Sequence, residues 1–240
     1  RPDYPDAHNN LGNTYKALGR LDDAIAQYRQ TISIDENYAE GHYNLALALL
    51  LLGDWAQGWE TFDWRFKPTR KKRRVPLPIE MWSGYSLEDK TIVVYAEQGV
   101  GDEIMFSSCI PDLLEQSPKL VLLECDPRLE PLFARSFPDV YVRGKKRDLD
   151  LSWAQEQGPL DYSLPIGSLP KFFRNHVGDF PSRDSFLVPD PKLIEKWKQR
   201  LSDLGERKKI GISWRGGGIK HVVFSDWEPL LSMDACFINL

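Results

Sequence analysis

The sequence predicts two kinds of structure in series: paired α-helices at the N-terminus, then an α/β segment built on a parallel sheet. Three observations carry this. A stretch of the first 68 residues recurs at an offset of 34. From Lys90 onward, short apolar runs alternate with longer helical patterns. Between the two lies a stretch rich in basic residues and proline, including Pro68, Pro76 and Pro78.

The repeat is read by placing the segment from Pro5 on the segment from Ala39. His8 then falls on His42, Asn10 on Asn44, Leu11 on Leu45 and Gly12 on Ala46; Gly19 falls on Gly53, Ala24 on Gly58 and Tyr28 on Phe62. A period of about 34 with these residue types matches the tetratricopeptide pattern. Small residues at Gly12/Ala46 and Ala24/Gly58 allow two helices to cross closely. Leu11/Leu45, Tyr15/Leu49 and Tyr28/Phe62 supply the apolar stripe between them. Gly19 and Gly53 suit the left-handed turn that ends a first helix. Arg1-Pro2-Asp3-Tyr4 reads as the tail of an earlier repeat, so further repeats upstream, or a cap from the next domain, are expected.

Asn10 and Asn44 occupy equivalent places on the first helix of each pair. An amide that both donates and accepts can hold the backbone of an extended peptide, an arrangement that resembles the asparagine ladder of O-linked N-acetylglucosamine transferase. The plainer alternative is that these amides cap local backbone or face water. His8 and His42 are expected to pack between helices rather than to bind metal.

Next in the chain, residues 69–89 read as a basic, proline-containing tether. Residues 1–66 hold 5 basic and 10 acidic side chains, whereas Lys67, Arg70, Lys71, Lys72, Arg73 and Arg74 crowd together. Such a run could read nucleic acid or a targeting receptor; the plainer reading is a solvated, flexible linker. A net charge of −4 argues against general nucleic-acid binding.

Within the α/β segment, Thr91–Ala96 reads as a buried strand, Gln98–Asp102 as a turn and Glu103–Gln116 as a helix broken at Ile110-Pro111. Leu120–Cys125 is a second strand, Pro127–Phe137 a helix, Val140–Val142 a third strand and Tyr162–Pro165 a fourth. Pro191–Leu204 reads as an amphipathic helix, Ile210–Trp214 as a strand and Cys236–Leu240 as another. This alternation implies a parallel sheet, whose ligands bind at the carboxyl ends of the strands. The expected divisions are repeats over 1–68, a linker over 69–89, a Rossmann-like lobe over 90–209 and the start of a second lobe over 210–240.

Two strand-end loops hold the candidate chemistry. In Glu97-Gln98-Gly99-Val100-Gly101-Asp102, glycines let backbone N–H groups approach a polar ligand. The loop is not a dinucleotide fingerprint, because Ile104 stands where the third glycine would fall. In Arg215-Gly216-Gly217-Gly218-Ile219-Lys220, two cations beside glycine-lined backbone suit a diphosphate, although a hinge between lobes would use similar residues.

A strand followed by Ala-Glu-Gln-Gly-Val-Gly-Asp-Glu-Ile resembles the N-terminal lobe of glycosyltransferase family nine, the heptosyltransferase-like enzymes, and more closely its bacterial tetratricopeptide fusions. Gly58-Trp59, Phe62-Asp63-Trp64-Arg65 and Met81-Trp82-Ser83-Gly84 resemble the junction of those fusions. The resemblance implies a two-lobed fold of GT-B type and an inverting, metal-independent transfer from a nucleotide-diphosphate sugar. It makes Asp102 the base, with Glu97 and Glu103 as carboxylates able to raise its affinity for a proton. Gln98, Gly99, Gly101, Arg215, Gly216, Gly217 and Lys220 become the ligand-binding residues, and no cofactor is implied. Asp102 read simply is a cap on the following helix. Related sequences carry a longer basic segment before the equivalent of Ser225-Asp226-Trp227, which sets Lys220 apart.

A second lobe needs about 100 further residues on typical domain sizes, so the expectation is a fragment unable to transfer sugar by itself. A non-catalytic interaction scaffold is the alternative. Cys109, Cys125 and Cys236 show neither metal spacing nor a disulfide framework, and a reducing cytoplasm is the compartment they suggest.

Overall fold

A computed structural model describes residues 4–67, 77–144, 150–212 and 224–239. These divide into two compact units, Arg1–Val188 and Pro189–Leu240.

The first unit opens with four helices in antiparallel pairs: α1 (Pro5–Ala17), α2 (Leu21–Ile34), α3 (Ala39–Leu52) and α4 (Trp55–Phe62). The expected punctuation is present, since Gly19 and Gly53 have φ of 75° and 91°. Small residues sit where helices cross. A Cβ on Gly12 would fall 2.5 Å from the Tyr28 ring, and one on Gly58 would fall 2.7 Å from Leu50. Ala24, Tyr28, Leu45, Ala48 and Leu49 close the core of the pairs. One member of the expected stripe does not join it: Leu11 is 40% exposed. A 3-10 turn over Asp63–Phe66 ends the helical region.

The sheet is entirely parallel, in the order β3-β2-β1-β4. Its strands are β1 (Thr91–Tyr95), β2 (Leu120–Cys125), β3 (Val140–Gly144) and β4 (Tyr162–Pro165). Every residue of β1 is buried, as a strand covered on both faces must be. Ile92 and Val94 pack into one core and Val93 and Tyr95 into another, the alternation a pleat imposes. The connecting helices are α5 (Val100–Phe106), α6 (Ile110–Leu114), α7 (Glu130–Ser136), α8 (Ser152–Gln155) and α9 (Pro170–Phe173). α5 and α6 make up the helix expected over Glu103–Gln116, interrupted just ahead of Ile110-Pro111. A 3-10 turn at Ser107–Cys109 separates them, because Pro111 has no N–H to continue the ladder.

Residues 77–89, expected as tether, are packed instead. Trp82 N–H donates to Ser163 O (3.0 Å), and Glu80 O accepts from Ser163 N–H (2.8 Å). Leu77, Trp82 and Leu87 are buried. The segment covers the β4 edge, which would otherwise expose unpaired backbone. The basic run at 70–74 lies outside the described residues.

The larger core contains Ala46 and Phe62 of the helical region together with Ile92, Val94, Phe106 and Leu164 of the sheet. Tyr28 fills its own hairpin, whereas Phe62, at the equivalent position, enters the sheet core. Trp59 meets Phe62 and Phe106 edge-on, and its indole N–H donates to Arg174 O at 2.9 Å. Trp55 packs on Phe180. The face of α4 is thus covered by the α/β part, as the terminal repeat of a solenoid requires.

The second unit contains α10 (Pro191–Ser202), a parallel pair β5 (Lys209–Ile212) and β6 (Cys236–Asn239), and the short α11 (Glu228–Leu231). Asp190 caps α10 by accepting from Lys192 N–H at 2.8 Å.

Candidate functional site

The sheet reverses its strand order beside β1, between β2 and β4. At the carboxyl ends of β1 and β4 two loops begin, one with Ala96-Glu97-Gln98-Gly99 and one with Ile166-Gly167-Ser168. Into this point comes Arg65 from the end of the helical region. Its Nη2 donates to Glu97 Oε1 (2.6 Å) and Ser168 Oγ (2.7 Å), and its Nε lies 3.0 Å from Glu97 Oε2. Nη1 donates to Phe62 O (3.1 Å) and Asp63 Oδ1 (2.8 Å). All five donors of a guanidinium are thereby used. The group lies between the Phe62 and Phe66 rings, 4.3 and 4.1 Å from their centroids.

Glu97 is 3% exposed, so its charge requires the partner it has. Its Oε1 also accepts Gly167 N–H at 3.2 Å. A Cβ on Gly167 would lie 2.5 Å from that oxygen and 3.3 Å from Gln98 Nε2, so only glycine leaves room for the carboxylate. Ser168 Oγ donates to Asp63 Oδ1 at 2.7 Å, and Lys171 Nζ stands 3.3 Å from Glu60 and 3.5 Å from Asp63. Burial first, and the Glu97 charge second, push the Tyr95 phenol well above its ordinary range.

Asp102 lies in the first turn of α5, not just before a helix that starts at Glu103. The helix begins at Val100 with Gly99 as its cap. Asp102 Oδ2 accepts Gly99 N–H at 2.9 Å, a reach back from the third helical position that satisfies an otherwise unpaired donor. The side chain is half-buried, and Oδ1 has no hydrogen-bond partner among the described residues. The two carboxylates expected to act on it are engaged elsewhere: Glu97 holds Arg65, and Glu103, fully buried, accepts Asp126 N–H at 2.7 Å. Gly101 faces open space and Gly99 is extended, at φ −79°. Neither glycine is required by its backbone conformation. Arg215, Gly216, Gly217 and Lys220 lie outside the described residues.

The paired asparagines differ in their surroundings. Asn10 is exposed. Asn44 is buried, and its Nδ2 donates to Asn9 Oδ1 at 2.9 Å; the amide partner of Asn44 in the fold is therefore Asn9. His8 bonds Gln27 across α1 and α2 at 2.8 Å. His42 stacks flat on Trp64, at 3.6 Å between centroids and 4° between planes.

The residues that sequence reasoning missed are Arg65, Ser168 and Gly167. In the sequence Arg65 stands out only as part of the junction, and nothing local marks a partner 32 positions away. A cavity of about 400 Å³ lies elsewhere, at the carboxyl end of β3, lined by Tyr141, Arg143, Asp150, Ser152, Trp153 and Glu156 among others. It contains none of the residues selected from the sequence. Among the described residues, no three His, Cys, Asp or Glu side chains gather as a metal would need, and no helix is long and apolar enough to cross a membrane.

Comparison with known proteins agrees with the helical part. A family model described as a TPR repeat matches residues 12–53. Protein FlbA of Caulobacter vibrioides is 31% identical over 259 aligned residues, covering all of this chain and 44% of that protein. The chain therefore spans less than half the length of this curated relative. Among solved structures, a mutant O-GlcNAc transferase from Thermobaculum terrenum is 20% identical, covering 73% of this chain and 36% of that one, at a TM-score of 0.32.

Proposed function

We propose that the chain is the repeat-bearing, acceptor-side part of a two-lobed glycosyltransferase of the family-nine type, whose repeats present a protein or peptide. One observation carries the reading. The half-exposed carboxylate of Asp102 stands in the first turn of α5, just past the carboxyl end of β1, where the strand order reverses. Open parallel sheets bind ligands at that place. The order β3-β2-β1-β4 is the one that begins a doubly wound, Rossmann-like lobe, which adds support.

Mechanistically, Asp102 Oδ1 would accept the proton of an acceptor hydroxyl as that oxygen attacks the anomeric carbon. Oδ2 stays bonded to Gly99 N–H and fixes the rotamer. Arg215, Gly216, Gly217 and Lys220 would hold the donor diphosphate and stabilise the departing nucleotide, and Gln98, Gly99 and Gly101 remain candidate ligand-binding residues of the loop after β1. Asn10, exposed on α1, is the asparagine available to a peptide backbone.

The test is transfer by the full-length parent protein, with and without Asp102→Asn. Loss of transfer with an unchanged melting temperature is expected. Full activity in the variant would remove the assignment.

A second reading, a silent interaction scaffold, has its own observation. The crevice at the strand reversal is filled by the protein's own Arg65, Glu97 and Ser168. Calorimetric titration of the parent with UDP, GDP and ADP separates the two: binding supports the enzyme, and no binding of any of them supports the scaffold.

A further inference from the structure

We infer that Arg65, a residue of the repeat region, is a positioning residue for the loop that leads into the helix turn carrying Asp102, so that the repeats form an obligate half of the site rather than an appended module. The catalytic consequence rests on the reading of Asp102 as base; the positional claim does not.

Arg65 arrives on the 3-10 turn Asp63–Phe66, which is fixed to the repeats by the stacking of Trp64 on His42 and by Phe62 in the shared core. Its guanidinium holds both oxygens of Glu97. Glu97 is two residues before Gly99, and Gly99 meets the start of α5 through both of its backbone groups: its N–H donates to Asp102, and its carbonyl accepts Glu103 N–H at 3.0 Å. Residues 97–99 are thus tied at one end to the repeats and at the other to the Asp102 carboxylate. Gly167 N–H, on the same oxygen of Glu97, ties the loop after β4 into the set.

Removal of the guanidinium takes from a buried carboxylate the counter-ion that holds both of its oxygens. A buried charge without its counter-ion turns toward water, and here that means carrying residues 97–99 with it. Sites work when the reacting group is held by neighbours that are themselves locked, and Arg65 is locked on every donor. A residue that merely joined two domains would not need to grip the residue two positions before the cap of α5.

Amide hydrogen exchange on the full chain tests this, read residue by residue by NMR in Arg65→Met and Arg65→Lys. In Arg65→Met, the amides of Gly99 and Glu103 should exchange about tenfold faster or more, the mark of local opening. The acceleration at Gly99 and Glu103 should exceed that at Val121–Leu123 of β2, whose rates follow the loss of global stability. Arg65→Lys should fall between, because an ammonium restores charge without the two-pronged geometry. Unchanged exchange at Gly99 in folded Arg65→Met overturns the inference, as does equal acceleration throughout the sheet. Should Arg65→Met not fold, Arg65→Lys and Glu97→Gln decide, and unchanged Gly99 exchange in both overturns it. None of these readouts uses a donor or turnover, so an inactive enzyme and an unpositioned loop give different results.

Discussion

Gly12 shows how one missing atom fixes a helix crossing. Alanine in mid-helix ordinarily gains about 1 kcal/mol over glycine, yet a Cβ here would stand 2.5 Å from Tyr28 Cε1. That ring is fully buried, and its hydroxyl donates to Asn13 Oδ1 at 2.8 Å, so it cannot swing aside. Overpacking costs about 1–3 kcal/mol. Gly12→Ala should therefore destabilise by a net amount of roughly 1 kcal/mol, read as a lower urea midpoint at constant slope.

The same ring predicts a pH effect. Burial raises the Tyr28 phenol from 10.0 to about 12. Unfolded, the group loses its proton near its ordinary value, and folded it retains it, so between those limits the unfolded state binds fewer protons. Stability is then fully present below pH 10 and falls as pH rises toward 12. Burial moves Cys109 to about 11 and Cys125 to about 12 in the same sense. Urea midpoints at pH 8 and pH 11 should show the loss, and Tyr28→Phe should reduce it.

Among elements, the link between α4 and the sheet predicts the largest single-residue effect. Leaving a buried ion without its partner costs about 3–5 kcal/mol, so Arg65→Met should lower stability by that order. Adding Glu97→Leu should recover most of it, because both charges then leave together. A double-mutant cycle by urea unfolding checks this, and additive losses would contradict it.

The elements also separate what local sequence can and cannot reveal. The bounds of β2 and β4 were legible because a strand buried on both faces is one short apolar run ended by turn residues. Gly19 and Gly53 were legible because a left-handed turn leaves few choices. The start of α5 was not: Gly99 and Gly101 read as loop, and only the reach of Asp102 back to Gly99 draws the helix forward to Val100. Residues 77–89 read as tether, since nothing in Pro78 or Gly84 announces pairing with Ser163, some 80 positions away. The candidate site was half legible. Its loop was found, but its ion pair joins two elements that propensity treats separately, and the choice of Asn10 over Asn9 required knowing which side of α1 meets α3.

For the molecule as a whole, the repeats and the sheet share one core, in which Ala46 and Phe62 lie with Ile92 and Val94. The α/β part covers the last hairpin through Trp55, Trp59 and Arg65, as the end of a repeat array requires. Repeats and sheet should then lose structure together, as two-state units do. Pulsed hydrogen exchange read by mass spectrometry across a urea series gives a midpoint for each segment of the chain. The account predicts one midpoint for α3, α4, β1 and β4; unfolding of α3 and α4 at lower urea, with β1 and β4 still protected, would contradict it.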